Sequence, residues 1–269
     1  MNKGSQGTDD GYFYFTPEEY NELISKYSDI SKFLREATNG QTFIANTKRY
    51  CLWCDGQNPA ELKKYPELMD RIQNVKKFRE ASTKAATRKW AEYPYLFTEN
   101  RQPTSGNYLL VPLTSSERRK YVPIGYLSCD VIANNSVQMI PEATLFDFGI
   151  LTSNVFMAWM RAVCGRLKSD YRITVTNVYN NFPWPTPTDA QKAKIEQTAQ
   201  AILDARALYP DASLADLYDE AVMPPELRKA HQQNDRAVWE AYGKAWDIKS
   251  ESACVTELMK LYQQLTAEK

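Results

Sequence analysis

Apolar residues recur along this chain at two spacings, and the change from one to the other falls near residue 186. Before that point, short alternating or continuous apolar runs predict strands. In the last of these runs, Ile173 and Val175 alternate with Thr174 and Thr176. The predicted strands cover residues 12–15, 42–45, 49–53, 108–113, 121–127, 137–140 and 171–179.

Helical periodicity appears in three places within the same region. Thr16, Pro17 and Glu19 form a helix start, in which threonine caps the first turn and glutamate reaches back to it. Residues 66–90 carry apolar residues at helical spacing and predict one long helix with a basic face. Residues 153–164 are apolar on nearly every side, so we expect that helix to be buried.

The second part of the chain is predicted to be entirely helical. Pro183, Pro185 and Pro187 stand at every second position, which favours an extended linker. Helix starts follow at Thr188, Ser213 and Pro225, and a last helix covers residues 254–265. The prediction is therefore an α+β fold: a mixed β-sheet with packed helices, followed by a small all-α bundle. We divide the chain into an N-terminal docking segment (1–40), an α+β domain (41–186) and a helical domain (187–269).

Composition narrows the class of protein. No apolar run approaches the roughly 20 residues of a membrane helix, and the first ten residues are polar, so we expect a cytoplasmic protein with no membrane partner. The five cysteines are an odd number, which favours reduced thiols. Cys51 and Cys54 form one C-x-x-C pair without a second pair, and His231 is the one histidine, so we expect no metal site.

The formal net charge is zero, yet it is unevenly distributed. Residues 40–186 contain 19 basic and 12 acidic side chains, whereas residues 187–269 contain 10 basic and 14 acidic ones. A basic middle between acidic ends is typical of a polyanion-binding segment, although ordinary surface charge gives the same count.

Motifs for catalysis do not emerge from the sequence. A DNA adenine methyltransferase needs a glycine-rich turn for its cofactor and an Asp or Asn followed by Pro-Pro-aromatic, and residues 180–184 (NNFPW) lack the second proline. Residues 61–63 (ELK) resemble the last triplet of a nuclease site, but Asp55 is the one upstream carboxylate and lacks its proline. We therefore predict that this chain is not an enzyme on its own.

Three polar loop clusters instead offer groups that contact DNA. Arginine and lysine pair with guanine and asparagine or glutamine with adenine in the major groove, while phosphates take lysine, arginine, serine and threonine. The clusters lie at residues 114–120, 128–138 and 166–172. Each loop alone is more typical of a solvated surface.

Several longer strings resemble one family. The first set is 49–53 (RYCLW), 115–121 (SSERRKY), 157–161 (MAWMR) with 165–169 (GRLKS), and 179–185 (YNNFPWP). A second set is 214–218 (LADLY) and 223–231 (MPPELRKAH). In the same order, these strings closely resemble the target-recognition domain and the C-terminal helical domain of the MmeI-like restriction–modification enzymes (Type IIG or IIL).

The resemblance implies a module of a larger enzyme. Proteins of that family join a nuclease, a helical connector and an adenine-N6 methyltransferase to these two domains. The implied function is sequence-specific recognition of double-stranded DNA, which positions the target for the methyltransferase domain of the parent chain. S-adenosylmethionine, and Mg²⁺ for cleavage, are implied for the parent, and no cofactor for this chain. A non-catalytic protein-interaction module and an enzyme without recognisable motifs remain alternatives.

The resemblance also points to candidate residues. Base choice in the family is set between the 115–121 and 179–185 strings, where this chain has Asn134, Asn135, Arg172 and Thr174. The candidate phosphate contacts are Ser115, Ser116, Arg118, Arg119, Arg166 and Lys168. The chain departs from the family at Phe156, where relatives commonly have histidine, and at Ile173 and Thr174, where an aromatic residue and a serine are usual. The second departure bears on which base is read.

Overall fold

The computed structural model describes residues 1–243 and 250–267. The strands are β1 (Asn2–Lys3), β2 (Tyr14–Phe15), β3 (Leu34–Thr38), β4 (Tyr50–Leu52), β5 (Asn107–Pro112), β6 (Thr114–Ser115), β7 (Gly125–Ser128), β8 (Ile132–Ala133), β9 (Val137–Pro141), β10 (Gly165–Leu167) and β11 (Asp170–Arg172). The helices are α1 (Pro17–Lys26), α2 (Gly40–Ala45), α3 (Pro66–Glu80), α4 (Ala85–Lys89), α5 (Leu145–Leu151), α6 (Asn154–Val163), α7 (Asp189–Ala207), α8 (Leu214–Leu217), α9 (Pro225–Ala241) and α10 (Glu251–Ala267).

A four-stranded antiparallel sheet in the order β1-β9-β5-β7 lies at the centre of the α+β part. Side chains alternate across β5 as a strand requires: Leu109 and Val111 enter the larger core, and Tyr108 and Leu110 enter a smaller cluster on the other face. Both faces are covered, which explains the continuous apolar run in this part of the sequence.

A second four-stranded sheet, β2-β4-β3-β8, pairs β3 with β8 in parallel and its other strands antiparallel. One face of α3 packs in the same cluster as this sheet through Leu68, Ile72 and Val75. A third sheet, β10-β11-β6, is small, and its β10–β11 hairpin stands beside β6.

The N-terminal residues are built into these sheets. β1 pairs with β9, and the backbone nitrogen of Ser5 donates to the carbonyl of Ala133 at 2.8 Å. A Cβ atom at Gly4 would lie 2.0 Å from the carbonyl oxygen of Asn134, so only glycine allows this close approach. The buried guanidinium of Arg79 donates to five backbone carbonyls, those of residues 7, 8, 90, 93 and 96, and so ties the segment to α3.

The helices on both sides of the proline linker share one core. The cluster that contains Phe148 and Trp159, from α5 and α6, also contains Ile195 of α7, Val238 of α9 and Leu258 of α10. Within it, the side-chain amide of Asn234 donates to the carbonyl of Gly149 at 2.7 Å. The helical part therefore packs directly against the α+β part.

Most predicted elements are confirmed, although their ends shift by a few residues, and three predictions are wrong. Residues 42–45 lie in α2 and not in a strand, because Asn39 and Thr42 form a reciprocal cap that starts a helix at Gly40. The long helix predicted at 66–90 breaks after Glu80 and resumes as α4 at Ala85.

The third wrong prediction concerns the strand at 171–179. It ends with β11 at Arg172, and residues Val175–Tyr179 form a single π-helical turn. Thr174 Oγ1 accepts a hydrogen bond from the backbone nitrogen of Asn177 and caps that turn. The alternating threonines reflect this cap and not a sheet face.

Candidate nucleic-acid interface

Three segments that are distant in sequence meet at one side of the central sheet. The backbone nitrogen of Leu113 donates to the carbonyl of Ser136 at 3.2 Å, and that of Ile173 donates to the carbonyl of Leu113 at 2.9 Å. β6 pairs with β11, which places Thr114 opposite Arg172. The first turn of α2 joins them, because Gly40 N donates to Ser136 Oγ at 3.3 Å. We call residues 39–41, 113–114, 134–136 and 172–174 the polar edge.

Three of the four segments of the polar edge, 39–41, 113–114 and 134–136, line an open concavity of about 490 Å³. Most of its lining side chains are neutral and polar, and the lining comprises Asn39, Gly40, Gln41, Ile44, Leu113, Thr114, Asn134 and Ser136. Such a surface supplies hydrogen-bond donors and acceptors without a large fixed charge.

The two asparagines predicted to read bases occupy different positions in one turn. Asn134 Oδ1 accepts from the backbone nitrogen of Ser136 at 2.9 Å and from Ser136 Oγ at 2.6 Å, so it shapes the turn. Asn135 is exposed at the tip of the turn. Asn135 is therefore the one of the pair whose side chain faces solvent.

Arg172 and Thr174 also differ in their surroundings. Arg172 is exposed at the end of β11, and within the described ranges its guanidinium makes no hydrogen bond or ion pair. Thr174 is half-buried, and its hydroxyl caps the π-helical turn. The neighbouring departure from the family, Ile173, is fully buried, and so is Phe156, which packs edge-on against Phe182 with 5.2 Å between ring centroids.

The two serines predicted to contact phosphate differ in their surroundings: one is buried and the other takes part in a turn. Ser115 is buried, and its hydroxyl has no hydrogen-bond partner in the part of the chain that the structure describes. Ser116 Oγ accepts from the backbone nitrogen of Arg118 at 3.3 Å and forms a turn. In this conformation Ser115 does not face solvent, because its small side chain packs inward from β6.

The basic candidates surround the β10–β11 hairpin. Arg166 lies over the ring of Tyr171 at 4.1 Å, donates to the carbonyl of Ser169 at 2.7 Å and lies 3.7 Å from a Glu117 carboxylate oxygen. Lys168 is exposed at the hairpin tip, and Arg118 is exposed in the preceding loop. Arg119 is half-buried, and burial lowers the pKa of its guanidinium. Arg118, Arg166 and Lys168 are thus the exposed cations of this group.

Sequence reasoning missed Asn39 and Gln41 as members of the site, whereas Thr114 and Ser136 fall within the polar clusters predicted at 114–120 and 128–138. For Asn39 and Gln41 a signal existed: asparagine followed three residues later by threonine is compatible with a helix cap, which would have turned the predicted strand into α2. Thr114 and Ser136 join the site through strand pairing between distant segments, which no local pattern reveals.

Two cysteines and the histidine, residue types that bind metals or act in catalysis elsewhere, are buried in the core of this protein. Cys51 and Cys54 are buried thiols, and burial raises the pKa of Cys54 to about 12. His231 is fully buried with Nε2 at 2.8 Å from Tyr218 Oη, and burial lowers its pKa well below the usual range. Across residues 1–243 and 250–267, no group of three or more histidine, cysteine or acidic side chains could hold a metal ion.

The same described residues contain no helix long and apolar enough to span a membrane.

The fold and the polar edge define a class of protein: an α+β domain that presents a concave loop surface, continuous with a helical domain. The chain belongs to the MmeI family, because residues 1–186 match the family described as MmeI, target recognition domain, and residues 187–268 match MmeI, C-terminal domain.

Two similar proteins are longer than this chain. It is 36% identical over 264 residues to DNA methyltransferase A of Bacillus subtilis (strain 168), a match that covers 98% of this chain and 30% of that protein. It superposes with a TM-score of 0.95 on a solved structure of the Type IIL restriction-modification enzyme MmeI in complex with DNA, at 43% identity, covering 99% of this chain and 35% of that one. The chain therefore spans about a third of the length of these relatives.

Proposed function

We propose that this chain is the sequence-specific, double-stranded DNA recognition module of a restriction–modification adenine-N6 methyltransferase. It would hold target DNA for a methyltransferase domain of the same parent chain. The observation that carries the proposal is that three polar segments, 39–41, 113–114 and 134–136, line one concavity next to Arg172. The family includes a solved enzyme in complex with DNA.

The chemistry of the edge suits the major groove of DNA. Base edges there present distinct patterns of donors and acceptors, which asparagine, glutamine and arginine side chains match in pairs of hydrogen bonds. Asn135 and Arg172 are the exposed members of the predicted base-reading set. Arg118, Arg166 and Lys168 would contact phosphates and fix the register, a role that carries no sequence information.

Catalysis belongs, in this proposal, to other domains of the parent. S-adenosylmethionine for methyl transfer and Mg²⁺ for cleavage would be held there, and no residue of this chain is assigned to either.

Salt dependence provides the test. Binding of the full chain to a fluorescent random-sequence duplex would be measured at about 50 mM and about 200 mM salt. Neutralised phosphates release counterions, so three phosphate contacts predict a loss of affinity of about 40-fold over this range. Lys168→Glu should lower the slope of log affinity against log salt concentration by the amount expected for about one phosphate contact or more. Lys84→Glu, a charge reversal next to α4, serves as the control.

The alternative function gives a different result. A protein-interaction module that docks through apolar surface would bind no duplex at either salt concentration, and that outcome would contradict the proposal.

A further inference from the structure

We propose that Gln41 is a base-reading residue and that the base its side chain fits is adenine. The inference rests on the proposed function and adds to it a contact from α2, an element that the sequence did not associate with DNA. In the major groove adenine presents an acceptor, N7, beside a donor, the N6 amine. A glutamine side chain matches both when its amide nitrogen donates to N7 and its amide oxygen accepts from the N6 amine.

Gln41 shares the concavity with Asn134, one of the predicted base-reading residues. It lines the concavity together with Asn39, Thr114, Asn134 and Ser136. Its neighbour Gly40 is hydrogen-bonded to Ser136 Oγ, in the turn that carries Asn135. Thr114, across the concavity, is paired with Arg172. The first turn of α2 is thus bonded to the residue that follows Asn135, and we infer that a duplex at Asn135 lies within reach of Gln41.

Of the side-chain amides that line the concavity, that of Gln41 is the one free to bind a base, since the other two are hydrogen-bonded to described residues. Asn39 Oδ1 accepts from the backbone nitrogens of Gln41 and Thr42, at 2.9 and 2.8 Å. Asn134 Oδ1 is bonded within its own turn. Gln41 is exposed, and its side-chain oxygen and nitrogen make no hydrogen bond with any described residue. Only its backbone takes part in the cap.

The position of Gln41 is also well fixed. The reciprocal cap between Asn39 and Thr42 holds the first turn, since Asn39 N donates to Thr42 Oγ1 at 2.9 Å. Phe43 of the same helix lies against Gly125 of β7 in the central sheet. A side chain on a rigid element reaches a base edge with better-defined geometry than one on a loop.

The test is a selection from a random duplex pool with the full chain, followed by sequencing of the retained DNA. Three proteins are compared with the wild type: Gln41→Ala, Gln41→Glu and the control Gln73→Ala, an exposed glutamine on α3. Thermal unfolding of each variant checks that the fold is kept. Because Gln41 is exposed, neither of its variants should change the unfolding midpoint.

We expect the wild type to select adenine at one position of its motif. In Gln41→Ala the preference at that position alone should fall by about 5- to 150-fold, which is the range for loss of one paired contact. In Gln41→Glu it should move toward cytosine, whose N4 amine donates to a carboxylate. Gln73→Ala should return the wild-type motif.

Two results would overturn the assignment of Gln41. One is an unchanged motif in Gln41→Ala, and the other is a uniform loss of affinity without a change at any single position. A wild-type chain that retains no motif at all would instead overturn the proposed function, and with it this inference, so the two failures are distinguishable.

Discussion

Among single residues, a buried acid packed against the 115–121 loop has the clearest consequence. Asp235 of α9 accepts from Tyr121 Oη and from the backbone nitrogen of Asn154, both at 2.7 Å. Tyr121 is the last residue of the 115–121 string, so this contact joins α9 to that loop. Burial of the carboxyl raises the pKa of Asp235 to about 6, from an ordinary value of 3.8.

This pKa predicts how the free energy of unfolding depends on pH. Between about pH 3.8 and about pH 6 the folded chain binds more protons at Asp235 than the unfolded chain does, so the contribution of Asp235 to stability falls as pH rises through that window. Asp235→Asn keeps an oxygen for Tyr121 and removes the titration. Relative to this variant, the wild type should lose stability, on the order of 2 kcal/mol, from about pH 4 to about pH 7.

Urea unfolding of both proteins across that range measures the difference. His231 is common to the two proteins; its lowered pKa gives a contribution of the opposite sign, present above its ordinary pKa of 6.5 and lost as pH falls, and it cancels in the comparison. Parallel stability curves for the wild type and Asp235→Asn would contradict the assignment.

At the scale of elements, local signals predicted most of the fold. The caps at Thr16 and Thr188 and the apolar residues of α6 placed those helices correctly, because capping and burial act within a few residues. Helix α5 was missed, although Thr144 and Asp147 form a capping box, because its seven residues are too few to show a clear helical periodicity. The break after Glu80 was missed because it lacks a glycine or proline.

The site was harder to predict than the elements. Arg172 and Asn135 were chosen for residue type and position in a family pattern, and the structure exposes both. Gln41 was not predicted as a site residue because residues of its helix were predicted to form a strand. Ser115 was predicted as a phosphate contact because no local pattern shows that its hydroxyl points into the core. Whether a polar side chain faces solvent depends on pairing between distant segments.

The shared helical core predicts that the two matched regions depend on each other. Gly149 of α5 lies so close to α7 that a Cβ atom there would be 2.7 Å from the Ile195 side chain. A chain ending at residue 186 would expose the apolar faces of α5 and α6, so we expect it to lose cooperative unfolding and near-ultraviolet circular dichroism and to bind a hydrophobic dye. The full chain is the reference, and a truncated chain with its native spectrum and a sharp urea transition would contradict the expectation.

At the scale of the whole molecule, the chain combines a neutral polar concavity with a basic hairpin and loop beside it. This arrangement separates the two tasks of DNA recognition, since the hairpin and the loop supply charge and the concavity supplies hydrogen-bonding groups. From the proposed function we therefore expect the wild-type chain to discriminate among sequences, and Arg172 to support discrimination more than affinity.

The most direct test is to sequence the random duplexes that the wild-type chain and Arg172→Ala retain. We expect an enriched motif for the wild type and, for Arg172→Ala, the same motif with one position relaxed by about 5- to 150-fold. Total binding of the variant should change far less. A retained pool as random as the input, despite salt-sensitive binding, would contradict base reading by this chain, and an unchanged motif in Arg172→Ala would contradict the role of that arginine.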